Sequence, residues 1–203
     1  MKIVVILVVI ILVAVTFLFF MANGPDISQF EHLKEPKIST MKDQRMVVAE
    51  AKGDPNVVGG KTFDLLFKTY FKIKGTSKGP KQSAPRVRWP ISQDVPKSEW
   101  VGFYAMPVPE QTVQLPESKD ETEIKIELTT WEYGDVAEIL HVGPYNKEKP
   151  TIKRLVDFIK EQSYEIAGDH EEEYIKGPGM FLKGNPEKYI TIIRYRVKKQ
   201  EDS

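Results

Sequence analysis

Laid on itself at a shift of 88 to 89 residues, the chain repeats one pattern of apolar and polar positions. Ala49-Glu50 falls on Ala137-Glu138, and after a one-residue slip Pro55 falls on Pro144. Phe63, Leu66, Phe67 and Tyr70 then fall on Ile152, Leu155, Val156 and Ile159. Both sets are spaced i, i+3, i+4, i+7, which puts one apolar stripe along a helix. Farther on, Trp100 to Tyr104 falls on Tyr189 to Ile193. Each copy reads as strand, helix, strand, strand, over about residues 36–110 and 122–199. The expected fold is α+β, two such modules related by a pseudo-twofold axis. They face one another across a central cleft, the kind of junction where ligand sites collect.

In copy one, Met46 to Ala51 is the first strand, and Gly59-Gly60 loosens the turn before a helix from about Lys61 to Lys72. Lys74 to Arg88 reads as an exposed loop whose basic charge is solvated surface. Arg86 to Ile91 and Trp100 to Val108 are the paired strands that close the copy. Residues 110–121 form the crossover. Ile124, Ile126 and Leu128 then alternate with polar neighbours, as in a half-buried strand. Val136 to Val142 follows, and Gly143-Pro144 turns the chain. Asn146 is placed to cap a helix that runs to about Ser163 or Tyr164, with Pro150 in its first turns. Gly168 marks the turn out of it, and Glu171 to Lys176 and Tyr189 to Lys198 complete copy two.

Ile3 to Ala22 stands apart: twenty residues with only Thr16 polar. As a helix this run would be about 30 Å long, the thickness of a bilayer's hydrocarbon core. It is longer than the apolar core of a signal peptide, and Phe20 occupies a position where cleavage needs a small residue. An uncleaved single-pass anchor over residues 1–22 is favoured, with a polar tether over 23–35. Lys2 ahead of the span places the N-terminus in the cytoplasm and the domain outside.

Charge and composition narrow the function. Lys plus Arg equals Asp plus Glu, 29 each, so nucleic-acid binding has no electrostatic support. Cysteine is absent, which excludes disulfides, thiolate metal sites and a cysteine nucleophile. No phosphate loop, dinucleotide fingerprint or Ser-His-Asp order is present, and no cofactor or metal site is expected. The most unusual stretch is His170-Glu171-Glu172-Glu173-Tyr174. Strand alternation puts His170, Glu172 and Tyr174 on one face and Glu171 and Glu173 on the other. Carboxylates are poor strand formers. Three in a row mark either a site or a charged edge strand guarding against aggregation.

Three ordered stretches, AEILHVGPYNKEKPTIKRLVDFI, HEEEYIKGP and NPEKYITIIRYRV, resemble the GyrI-like small-molecule-binding domain. This is the fold of effector-binding domains in multidrug-responsive transcription regulators. The resemblance covers roughly Pro36 to Lys199 and is stronger in copy two. It implies a cleft ligand that is amphipathic and cationic or aromatic, and some stand-alone members are described as hydrolysing cyclopropane-containing natural products. The H-x-E-x-Y pattern selects Glu172 with Tyr174 as site residues. Three departures stand out: no helix-turn-helix region, an N-terminal anchor, and Ile190-Thr191-Ile192-Ile193 where regulators often bury a glutamate.

On this reading Glu172 pairs with a cationic ligand, Tyr145 projects over the cleft mouth, and Trp89, Trp100, Tyr104 and Trp131 supply apolar lining. His141 is expected to be a hydrogen-bonded structural histidine. The leading expectation is a membrane-tethered module binding a small amphipathic molecule. The alternatives are a hydrolase of a reactive electrophile using Glu172 and Tyr174, and a protein-interaction domain with a vestigial cleft. Oligomeric state has no signature in the sequence.

Overall fold

Period-two alternation in the chain resolves into one sheet. The computed structural model describes residues 28–90, 95–117, 124–178 and 184–201. The expected anchor, Ile3 to Ala22, lies outside the described residues. The chain divides into two compact units, Met1–His32 and Leu33–Ser203, and the second carries the sheet. No helix among the described residues is long and apolar enough to cross a membrane.

Within the second unit the strands are β1 (Lys37–Met41), β2 (Gln44–Lys52), β3 (Arg86–Trp89), β4 (Val101–Pro107), β5 (Ile126–Trp131), β6 (Gly134–Val142), β7 (Tyr164–Lys176) and β8 (Ile190–Lys199). They form one antiparallel sheet in the order β1-β6-β8-β7-β3-β4-β2-β5. Read inward from its two edges, the order presents equivalent strands, so the pseudo-twofold relation runs through the β3–β7 ladder.

Two features differ from the expected arrangement. Each module has five elements, strand-strand-helix-strand-strand, and its leading strand is exchanged: β1 pairs with β6 and β5 with β2. The modules also join edge to edge, Val87 opposite Glu172 and Trp89 opposite His170, rather than standing apart. Unpaired strand edges leave backbone donors and acceptors unsatisfied, and joining β3 to β7 removes two such edges. Met41 stands opposite Gly134 and Gln44 opposite Trp131. The hairpins therefore superpose at a shift of 90 residues (131 − 41 and 134 − 44). The shift of 88 read from the sequence differs by two, which preserves the face of every side chain.

Both helices cover the same sheet face. Helix α1 (Pro55–Lys72) packs Leu66 and Tyr70 on Val47, Ala49, Tyr104 and Met106. Helix α2 (Lys149–Glu161) packs Leu155 and Ile159 on Ala137, Ile139, Ile193 and Val197. These are the stripe positions that the repeat singled out, and each such buried side chain contributes about 1.5–3 kcal/mol.

The helix starts differ from expectation. Asp54 caps α1, its carboxylate accepting from the Asn56 N–H at 2.9 Å, and Pro55 follows it. Gly59 and Gly60 therefore lie inside the helix, Gly59 beside the Tyr104 ring. Asn146 falls in a 3-10 turn, Tyr145–Lys147, and the residue at the cap of α2 is Glu148, which makes no side-chain cap bond. Gly168 sits not in a turn but in an irregularity of β7 between Ile166 and His170, against Arg196.

Candidate functional site

The strand that carries the three glutamates is central. β7 lies between β8 and β3, which removes the edge-strand reading. Register places His170 and Glu172 beside Trp89 and Val87 on one side, and beside Tyr195 and Ile193 on the other. These residues share the sheet face that α1 and α2 cover. Glu171 and Glu173 point to the opposite face.

Glu172 is buried, 5% exposed, and both its oxygens are held. The Tyr174 hydroxyl donates to Oε2 at 2.5 Å, and His170 Nε2 lies 2.9 Å from Oε1. An ionised carboxylate only accepts, so Nε2 carries the proton. The other ring nitrogen, Nδ1, lies 2.9 Å from the Tyr195 hydroxyl. Burial opposes the charge on Glu172, but the His170 and Tyr174 bonds outweigh it and hold its pKa below the usual value. Tyr174 is shifted the other way: burial and the adjacent carboxylate push its hydroxyl well up.

The residue that sequence reasoning missed is Glu148. It is 4% exposed and lies beside Glu172. Burial first, then the Glu172 charge, push its carboxyl up to about 9, so at neutral pH the pair carries one proton. Thr191, in β8, is near enough to ease that shift, yet neither Thr191 Oγ1 nor Glu148 Oε1 has a hydrogen-bond partner. The Trp89 indole N–H favours the charge on Glu172, and it too lacks a full hydrogen bond, as does the Tyr104 hydroxyl. Four of the five buried side-chain polar atoms without a partner among the described residues therefore gather around this carboxylate pair. Unpaired buried polar atoms are uncommon in folded proteins, and a cluster of them marks a place where a polar group is wanted.

The aromatic residues divide between the two sheet faces. Tyr104 meets Phe63 edge-on at 4.9 Å, and Phe63 meets Tyr174 at 6.0 Å. Trp89 packs on Tyr104 at 5.9 Å and on Trp100 at 5.5 Å, with the Trp100 indole donating to the Val95 carbonyl. Tyr145, 37% exposed, covers Tyr174 at 5.4 Å and approaches Gly177 closely enough that a Cβ there would meet its hydroxyl at 2.7 Å. His141 is buried, with Nδ1 3.0 Å from the Thr151 hydroxyl, and burial lowers its pKa. Trp131 is not brought to this face. It lies on the opposite face, where the Arg88 guanidinium stacks on it at 4.1 Å.

That opposite face is also charged, but its charges are matched. Arg194 reaches Glu138, Glu171 and Glu173, Arg88 bonds Glu171 at 2.8 Å, and Arg86 lies 3.2 Å from Glu173. Tyr133 bridges the network, accepting from Arg86 and donating to Glu171. A polar cavity of about 360 Å³ opens there between Arg88, Arg194 and Arg196. By contrast, His170 is the one basic side chain within ion-pair distance of Glu172 among the described pairs.

No family profile matches the chain, and no curated protein does. Solved structures do match its fold. An uncharacterized conserved protein from Listeria innocua superposes with a TM-score of 0.63 at 18% identity, over 85% of this chain and 99% of its own. A hydrolase from Listeria innocua superposes with a TM-score of 0.62 at 15% identity, over 87% of this chain and 100% of its own. The C-terminal domain of EcmrR gives 0.58 at 15% identity, over 81% and 98%. At such identities the likeness is one of fold. The chain shares the architecture of these proteins, consistent with the GyrI-like fold its motifs resemble.

Proposed function

We propose that this domain binds a small amphipathic cation at the sheet face covered by α1 and α2, with Glu172 as the counter-charge. The observation that carries the reading is the buried carboxylate pair, Glu172 and Glu148, ringed by unpartnered Trp89, Tyr104 and Thr191 polar atoms. His170 and Tyr174 keep Glu172 charged with no arginine or lysine against it among the described pairs. A ligand cation would pair with that charge, and the rings of Tyr174, Tyr145, Phe63 and Tyr104 add cation–π attraction. We also propose that the Ile3–Ala22 run anchors the domain in a membrane and holds it outside the cytoplasm. Carbonate extraction of membranes and a C-terminal reporter test that arrangement: release by carbonate, or reporter activity confined to the cytoplasm, would sink it.

Binding is tested by thermal shift of wild type and Glu172→Gln against cationic and neutral amphiphiles. A bound ligand raises apparent stability by mass action. The variant should lose the cation shift and keep the neutral one; equal loss of both argues against charge pairing.

A second reading has one specific support. A protonated Glu148 beside an ionised Glu172 is an acid–base pair. Water attacking an electrophilic carbon would lose its proton to Glu172. As the bond to the leaving atom breaks, Glu148 would protonate that atom. Tyr174, with its hydroxyl committed to Glu172, serves to position the base. Two of the solved structures of this fold are called hydrolases. Recovery of a bound electrophile unchanged after long incubation with excess protein would rule out hydrolysis of that compound.

A further inference from the structure

Along α1, Phe63, Phe67 and Phe71 recur at every fourth position and stack in succession. Their centroids are 6.0 and 6.2 Å apart and their planes are tilted by 25° and 20°. The inner end of this row touches the site, where Phe63 meets Tyr174, the residue whose hydroxyl holds Glu172. The outer end, Phe71, is 38% exposed. One continuous row of rings therefore leads from the buried carboxylate to the surface, about 12 Å along the helix.

The fold does not demand this row. At the repeat-equivalent positions α2 carries Ile152, Val156 and Lys160, and Lys160 is exposed. Both helices are attached to the sheet by other residues, Leu66 and Tyr70 in one and Leu155 and Ile159 in the other. Of these two helices, α1 alone carries such a row. A carboxylate at one end of an apolar track is complementary to a molecule with a charge at one end of an apolar chain.

We propose that the site takes a single-tailed organic cation, its ammonium head at Glu172 and its tail laid along Phe63, Phe67 and Phe71. The proposal rests on the cation-binding reading above and adds the shape of the ligand to it. A compact cation would fill only the inner end. A tailed one gains about fourfold in affinity for each methylene it removes from water, until the chain passes Phe71.

The test is calorimetric titration of the full-length chain with butyl-, hexyl-, octyl- and decyltrimethylammonium, each below its micelle concentration, with tetraethylammonium as the compact control. Affinity should climb along the series. Phe71→Ala should weaken decyl binding at least tenfold and leave butyl binding unchanged, and Phe71→Leu should recover part of the loss. Phe71 is half exposed, so the variant should fold, and its melting curve checks this. Affinity that is flat along the series, or lost equally for butyl and decyl in Phe71→Ala, overturns the tail track and leaves cation binding standing. If no member binds the wild-type chain, the cation reading fails, and the track with it.

Discussion

Glu148 lies against Glu172, and neither carboxylate forms an ion pair with an arginine or lysine among the described pairs. One sheet thickness away, Glu138, Glu171 and Glu173 are matched by Arg86, Arg88 and Arg194. The same sheet thus neutralises the acids on one face with guanidinium groups and those on the other with a proton, a histidine and a tyrosine hydroxyl. A charge with no arginine or lysine against it stays available to a ligand cation, whereas one already paired with guanidinium groups does not.

The Glu148 proton makes folding pH-dependent in a definite direction. Its folded pKa, about 9, is above its unfolded value of 4.5. The folded state therefore binds this proton more tightly, and the associated stability is fully present below about pH 4.5 and is lost as pH rises toward 9. The limiting slope is about 1.4 kcal/mol per pH unit. Glu148→Gln should flatten the urea-midpoint profile between pH 6 and pH 9 and raise stability at its alkaline end. An unchanged profile would show that Glu148 is ionised in the folded protein.

Tyr174→Phe removes one of the two bonds that keep Glu172 charged. Hydrogen bonds to charged groups contribute about 1.5–3 kcal/mol. Chemical denaturation at pH 7 should register a loss of that size. Because Glu172 has a lowered folded pKa, its contribution is present above the unfolded value and lost as pH falls through the folded one. The loss in the variant should therefore shrink in acid. A loss equal at pH 7 and pH 3 would assign it to packing instead.

Arg194→Ala should be among the most damaging substitutions in the domain. It strips Glu138, Glu171 and Glu173 of their shared partner in a setting where Arg194 is 3% exposed. Removing one partner of a buried pair costs about 3–5 kcal/mol. A drop below about 1 kcal/mol in urea would mean that the remaining arginines and water compensate.

Gly102 is where the wall of the site is packed most tightly. A Cβ there would stand 2.8 Å from Tyr104 Cε2 and 2.9 Å from Trp89 Cζ3. Gly102→Ala must displace both rings and should cost about 1–3 kcal/mol. It should also weaken cation binding, since both rings border Glu172. Unaltered tryptophan fluorescence and unaltered melting would contradict that packing.

What the sequence by itself determined is what depends on near neighbours in the chain. Helix period placed Leu66, Tyr70, Leu155 and Ile159 on buried stripes, and strand period separated Glu172 from Glu171 and Glu173. Even the position of Trp131 was latent there, because its parity is opposite to that of Ile126 and Leu128, which pack under α1. Tertiary structure decided which strand lies beside which, for alternation assigns a face but every strand edge offers the same donors and acceptors. The exchange of β1 with β5 and the β3–β7 ladder follow from that long-range choice. Glu148 belongs to neither period. It sits between a turn and a helix, and only the folding of α2 onto the sheet carries its carboxyl to Glu172.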